Sequence, residues 1–143
     1  MMTMTEILSL IEEDSKFKQE DLDKMSIKIP YLHSVWYSRM IEELKILRGI
    51  DMSLKTMKRD KFLYYSGRGS DEEYREKPLD HKILKSDIDI FMDADDEYQK
   101  LQSKHFIQKA KVDAIEAFIK QLNQLSFNIR NAVEFMKFKS GLN

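Results

Sequence analysis

Residues 47–59 read Leu47-Arg48-Gly49-Ile50-Asp51-Met52-Ser53-Leu54-Lys55-Thr56-Met57-Lys58-Arg59, and two separate stripes run through them. At 100° per residue, Leu47, Ile50, Leu54 and Met57 share one side, with the three-and-four spacing of a helix face that packs. Arg48, Lys55 and Arg59 share another, at spacings of seven and four, with Phe62 continuing their line and Lys58 beside it. A strand cannot give this double pattern, because its side chains alternate with a period of two. The stretch reads as a helix with an apolar seam and a distinct basic side.

Outward from there, the helical pattern runs from Tyr31 to Tyr65, interrupted only by Gly49 at a cost of about 1 kcal/mol relative to alanine. Such a segment is a rod of roughly 50 Å, which needs another helix or another subunit to cover its seam. Past Met57 the seam is continued by Lys61 and Tyr65, so it must stop or change partner at that turn. Upstream, Asp21 suits a helix start, with Leu22, Met25 and Ile29 on one face. Pro30 then predicts a break or kink, since it lacks a backbone donor and disfavours helix in the residue before it. Nearest the start, Thr3 and Glu6 have capping-box spacing, ahead of a short helix with a Met4, Leu8 and Ile11 stripe ending near Asp14.

Downstream, residues 66–82 hold two of the four glycines and Pro78 and read as a loop with an acidic first half. Asp87-Ile88-Asp89-Ile90-Phe91 alternates as a short strand would. Asp93, Asp95, Asp96 and Glu97 suit a helix N-terminus, where the macrodipole favours anions. A second long helix follows, from about Asp95 to Lys139. Val112, Ile115, Ile119, Leu122, Ile129, Val133 and Met136 give it a coiled-coil-like seam, widened by Phe118, Leu125 and Ala132. Phe127, Phe135 and Phe138 point elsewhere on the wheel and call for a second partner surface. The residues expected to mediate self-association are Ile119, Leu122, Phe127, Ile129, Val133, Phe135, Met136 and Phe138.

Composition agrees with long helices. Four glycines and two prolines in 143 residues are too few for the turns of a sandwich or barrel. The fold class is all-α: an extended helical hairpin with a short N-terminal helix and a central loop or short strand. The length suits one domain over 1–143, with N-terminal helices to 65, a loop region over 66–94 and an oligomerisation helix over 95–143. There is no cysteine, no apolar run long enough for a membrane span, and no signal-peptide pattern at the start, which predicts a soluble, cytoplasmic protein.

Lysine plus arginine number 24 against 25 acids, so net charge alone does not announce a nucleic-acid binder. The distribution does more. From Lys45 to Arg68 seven basic residues meet two acidic ones. At the end of this run, Arg59-Asp60-Lys61-Phe62-Leu63-Tyr64-Tyr65-Ser66-Gly67-Arg68-Gly69 reads plainly as a helix C-terminus, with cations on the negative end of the dipole and Gly67 as left-handed cap. The same residues also suit a single-stranded nucleic acid, since cations neutralise phosphates, aromatic rings stack on bases, and glycines let backbone N–H groups approach an anion. The candidate DNA-binding set is Arg48, Lys55, Lys58, Arg59, Lys61, Tyr64, Tyr65 and Arg68.

Catalytic patterns are lacking. His33, His81 and His105 are scattered, no nucleophile motif occurs, and Gly67-Arg68-Gly69 lacks the Gly-Lys-Ser/Thr ending of a phosphate loop. The six acids of 87–97 lack the glycine and regular spacing of a calcium loop and read more simply as a solvated helix start. No enzyme activity, metal or cofactor is expected. A helical scaffold or adaptor binding an acidic protein is the competing reading, and a carboxylate-metal nuclease a third.

At Tyr64-Tyr65-Ser66-Gly67-Arg68-Gly69 the chain resembles the UvsY recombination mediators of T-even and related phages. Trp36, Ser86-Asp87-x-Asp89 and Phe127-x-Ile129-Arg130 with Gly141 fall where that family would place them. The resemblance implies a non-enzymatic factor acting in the phage-infected host cell. Its partners would be single-stranded DNA, a phage recombinase, single-strand-binding protein and further copies of itself in a ring-like homo-oligomer. It also implies that the family's basic pair lies at Arg59 and Lys61, with the two basic types exchanged, which keeps charge but alters bidentate geometry.

Overall fold

The computed structural model describes residues 1–141, and every regular element among them is helical. The order is α1 (Met4–Ser15), α2 (Leu22–Tyr65), α3 (Asp71–Glu76), α4 (Ile88–Asp93) and α5 (Asp96–Lys139), with 3₁₀ turns at Gln19–Asp21 and Lys85–Asp87. The chain forms two compact units. Met1–Leu44 joins the chain from Ala110 onward in the first, and Lys45–Lys109 makes the second, so each unit takes part of α2 and part of α5. No described helix is long and apolar enough to cross a membrane.

In the first unit, α1 begins with the expected capping box: Glu6 N–H donates to Thr3 Oγ1 (3.1 Å) and Thr3 N–H to Glu6 Oε2 (2.9 Å). Twelve residues make a marginal helix alone, and α1 is held by docking. The buried residue is Ile7, flanked by Leu10 and Ile11, whereas Leu8 is exposed, so the docked stripe is rotated from the expected Met4, Leu8 and Ile11. Ile11 belongs to both stripes, and the surface offered by the long helices selects between them. Met25, Ile29, Leu32 and Trp36 of α2 meet Ile115, Phe118, Ile119, Leu122 and Ile129 of α5 in one core. Trp36 is fully buried, meets Phe118 edge-on at 5.1 Å and donates its indole N–H to Asp14 Oδ2 at 2.9 Å, which ties the last turn of α1 to α2.

α2 runs unbroken through Pro30, where a break or kink is expected from the sequence. The ring costs about 3 kcal/mol in a helix interior. Ile29 and Leu32 on either side are buried, at roughly 1.5–3 kcal/mol each, which offsets that cost.

The second unit corrects two local readings. The 87–91 segment is no strand: Ile88 and Met92, four apart, are buried while Ile90 is 66% exposed. A strand would have put Ile88 and Ile90 on the same face. Within 66–82, Ser70 Oγ accepts from Glu73 N–H at 3.2 Å and caps the six-residue α3.

Gly49 lies inside α2, and a methyl group added there meets nothing within 4 Å. Gly49→Ala is expected to raise stability by about 1 kcal/mol, read as a higher urea midpoint with an unchanged slope.

Candidate nucleic-acid interface

α2 ends at Tyr65 in a Schellman turn. Gly67 has φ +80°, its N–H donates to the Tyr64 carbonyl at 3.2 Å, and Arg68 N–H reaches back to the Leu63 carbonyl at 2.8 Å. Glycine is required there because a Cβ at positive φ is strained. The turn folds Arg68 back along the helix. Its guanidinium lies 5.3 Å from the centroid of the Phe62 ring and its Nε donates to Ser66 Oγ at 3.2 Å. Phe62 continues the line of Arg48, Lys55 and Arg59, so the turn adds a fifth cation, with Lys58, to the basic side of α2.

These five cations are exposed, and their ion pairs are weak or absent. Lys55 pairs with Asp51 at 3.5 Å one turn away, and Arg59 with its neighbour Asp60 at 3.0 Å, in each case with both side chains open to solvent. Exposed pairs of this kind contribute about 0–1 kcal/mol and yield readily to a competing anion. Arg48, Lys58 and Arg68 make no ion pair among the described residues.

Lys61, Tyr64 and Tyr65 lie on the inward side, where the packing seam continues. The Lys61 ammonium, only 14% exposed, sits 3.2 Å from Asp95 Oδ2 and 3.2 Å from Glu97 Oε2. Tyr65 donates its hydroxyl to Asp95 Oδ2 at 2.7 Å, and Tyr98 N–H donates to Asp95 Oδ1 at 3.0 Å. Asp95 is thus the N-cap of α5 and the anchor of α2 at once. Tyr64 donates to the Lys77 carbonyl at 2.6 Å, while Lys77 pairs with Glu97 at 2.9 Å. Tyr64 meets Tyr65 edge-on and stacks on Tyr74. The two tyrosines of the motif are structural members of this corner and have their hydroxyls occupied.

The electrostatics follow. Burial works to raise the Asp95 carboxyl, but hydrogen bonds from Tyr65 and Tyr98 N–H and the Lys61 charge outweigh it and hold the group below its ordinary value. Glu97 is lowered by Lys77 and then by Lys61, and Lys77 is raised in turn by Glu97. Burial and the bond to Asp95 push the Tyr65 hydroxyl up, and burial followed by Tyr74 does the same for Tyr64. Asp95 is committed to these partners, and no described group of three or more His, Asp or Glu residues forms a metal-holding arrangement.

Of the residues expected on the self-association surface, Ile119, Leu122 and Ile129 lie in the chain's own core. Phe127, Val133, Phe135, Met136 and Phe138 remain exposed, Phe135 at 65% and Phe138 at 73%. Sequence reading missed Tyr74, Lys77 and Glu97 as parts of the corner. Ser70-x-x-Glu73 was the available signal, since that spacing opens a helix and places Tyr74 in its first turns.

The fold and the site define an all-α protein with five exposed cations gathered along one helix side and a glycine turn. The family model for UvsY, described as recombination, repair and ssDNA binding protein, matches residues 10–142, and the chain belongs to that family. A crystal structure of the bacteriophage T4 recombination mediator protein UvsY shares the fold. Its TM-score is 0.87 at 17% identity, over 98% of this chain and 99% of that one. No curated protein matches the chain in sequence.

Because Asp95 and Glu97 titrate lower folded than unfolded, their contribution is full above the unfolded value of about 4 and is lost as pH falls through the folded values. Asp95→Asn is expected to cost about 1.5–3 kcal/mol near neutral pH and much less near pH ~2, measured by urea unfolding at both.

Proposed function

We propose that this chain is a non-enzymatic recombination mediator that binds single-stranded DNA and assembles as a ring-like homo-oligomer. In the phage-infected host cell it loads a recombinase onto strands covered by single-strand-binding protein. The observation that carries this reading is the row of exposed cations, Arg48, Lys55, Lys58, Arg59 and Arg68, in a member of a family described by ssDNA binding. In a protein of formal net charge −1, that segregation focuses positive potential where the whole molecule has none.

These cations neutralise phosphates in series along the helix side. Lys61, Tyr64 and Tyr65 act one layer behind, holding the turn that carries Arg68. A single patch of solvated cations binds weakly. Several copies present such patches to one flexible strand at high effective concentration, and avidity supplies the affinity. Bending the strand across subunits strains a bound single-strand-binding protein and opens a place for the recombinase to nucleate. Phe127, Phe135 and Phe138 are exposed on one side of α5 and Val133 and Met136 on the seam side, and both are suited to contacts between copies.

Anisotropy titration of a labelled oligonucleotide at several salt concentrations tests the DNA reading. The logarithm of the association constant should fall against log salt with a slope of about −0.7 per phosphate neutralised. Joint Arg48→Glu, Lys58→Glu and Arg59→Glu substitution should abolish most binding and flatten the slope by about 2. Unchanged affinity and slope would remove the assignment. Capture of an acidic protein without any oligonucleotide binding would favour the adaptor reading instead.

Assembly has its own test. Phe135→Ser with Phe138→Ser should yield a smaller species by light scattering without loss of helicity, because neither ring belongs to the core. Retention of the full assembly would place the contact between copies elsewhere.

A further inference from the structure

We propose that Tyr74 is a positioning residue for nucleic-acid binding: it clamps the turn after α2 so that Arg68 presents the free end of its guanidinium to a phosphodiester on the basic side. The proposal rests on the DNA-binding reading above and extends it to a residue that does not touch the strand.

The clamp is made by one hydroxyl used twice. Tyr74 donates to the Tyr64 carbonyl at 2.7 Å and accepts the Gly69 N–H at 2.9 Å, so it bridges the last turn of α2 to the chain leaving it. Its ring stacks on Tyr64, with centroids 5.3 Å apart and planes 20° apart. The second glycine of the motif has its explanation here. A Cβ at Gly69 would lie 3.1 Å from both Cζ and the hydroxyl oxygen of Tyr74, closer than carbon tolerates without a shift. Gly67 serves the backbone turn, and Gly69 makes room for the clamp.

α3 exists to deliver this side chain. It is six residues long, far below the length at which a helix persists alone. Ser70 caps its start, and the Tyr64 hydroxyl holds the Lys77 carbonyl just past its end. Tyr64 therefore holds α3 twice, receiving the Tyr74 hydroxyl at its backbone and donating from its own side chain to Lys77.

Between the two glycines stands Arg68. Its Nε is committed to Ser66 and its plane lies against Phe62, while neither Nη makes a hydrogen bond among the described residues. Two free N–H-bearing nitrogens held in a known plane suit the bidentate geometry of a phosphodiester. The Schellman bonds fix the chain before Arg68, and the Tyr74 bond fixes the residue directly after it. Without that bond Arg68 must lose conformational freedom when DNA binds, and affinity falls by that amount.

Tyr74→Phe keeps the ring and removes both hydrogen bonds. At a temperature where circular dichroism shows the variant folded, oligonucleotide affinity is expected to fall roughly fivefold. The salt slope should become shallower by up to ~0.7, as for Arg68→Ala. The double variant Tyr74→Phe with Arg68→Ala should lose no more than Arg68→Ala alone, a coupling that a purely structural role would not produce. Gly69→Ala, which pushes the Tyr74 ring and its hydroxyl aside without removing either, should move affinity and slope the same way. If Arg68→Ala weakens binding and Tyr74→Phe leaves affinity and slope at wild-type values, the clamp is refuted and the DNA-binding reading stands. Additive losses in the double variant also refute it. If the unaltered protein binds no oligonucleotide, or Arg68→Ala changes nothing, the fault lies in the underlying assignment and the clamp falls with it.

Discussion

The second unit depends on one carboxylate. Asp95 caps α5 through the Tyr98 N–H, receives the Tyr65 hydroxyl and faces the Lys61 ammonium, all within 3.2 Å. A buried charge is costly when unpaired, and here both oxygens are satisfied by groups from two elements. The consequence is positional: where α2 ends, and how its last turn faces, is decided by the first residue before α5. Everything built on that turn, from the Schellman glycine to Arg68, inherits its placement.

This arrangement sets Lys61 apart from the cations on the basic side. Lys61 is drawn inward and neutralised by acids, while Arg48, Lys55, Lys58, Arg59 and Arg68 stay in water with at most weak partners. A side chain already charge-paired and mostly buried has little left to offer a phosphate, whereas a solvated one gains by exchanging counterions. The aromatic residues divide in the same manner. Tyr64, Tyr65 and Tyr74 are stacked and hydrogen-bonded within the corner, and Phe62 is left as the ring beneath the outermost arginine. The inner layer sets geometry and the outer layer stays open to solvent.

Much of this was legible from periodicity. The apolar seam of α2, the basic side beside it, the α5 core residues and the Thr3 and Glu6 cap all follow from spacing, because a helix fixes angular position by residue number. The errors fell where spacing was short or shared. Five residues at 87–91 alternate well enough for a strand, yet burial of Ile88 and Met92 made a helical turn the better use of them. Ile11 belonged to two possible stripes. Pro30 does not break α2, which continues through it. Tyr74 was hidden because its partners, Tyr64 and Gly69, lie ten and five residues away across a turn whose path no periodicity describes.

By itself the sequence determined the all-α class, the two long helices, the segregation of cations onto one side of α2 and the need for glycine at the turn. These are local properties, set by backbone preference and by the 3.6-residue repeat. Only the tertiary structure decided that Lys61, Tyr64 and Tyr65 face inward, that Ile119, Leu122 and Ile129 serve the chain's own core, and that Arg68 lies over Phe62. Those outcomes depend on which carboxylate, ring or helix face occupies the space opposite, and desolvation and pairing across a turn or between helices are not written in the spacing of either one.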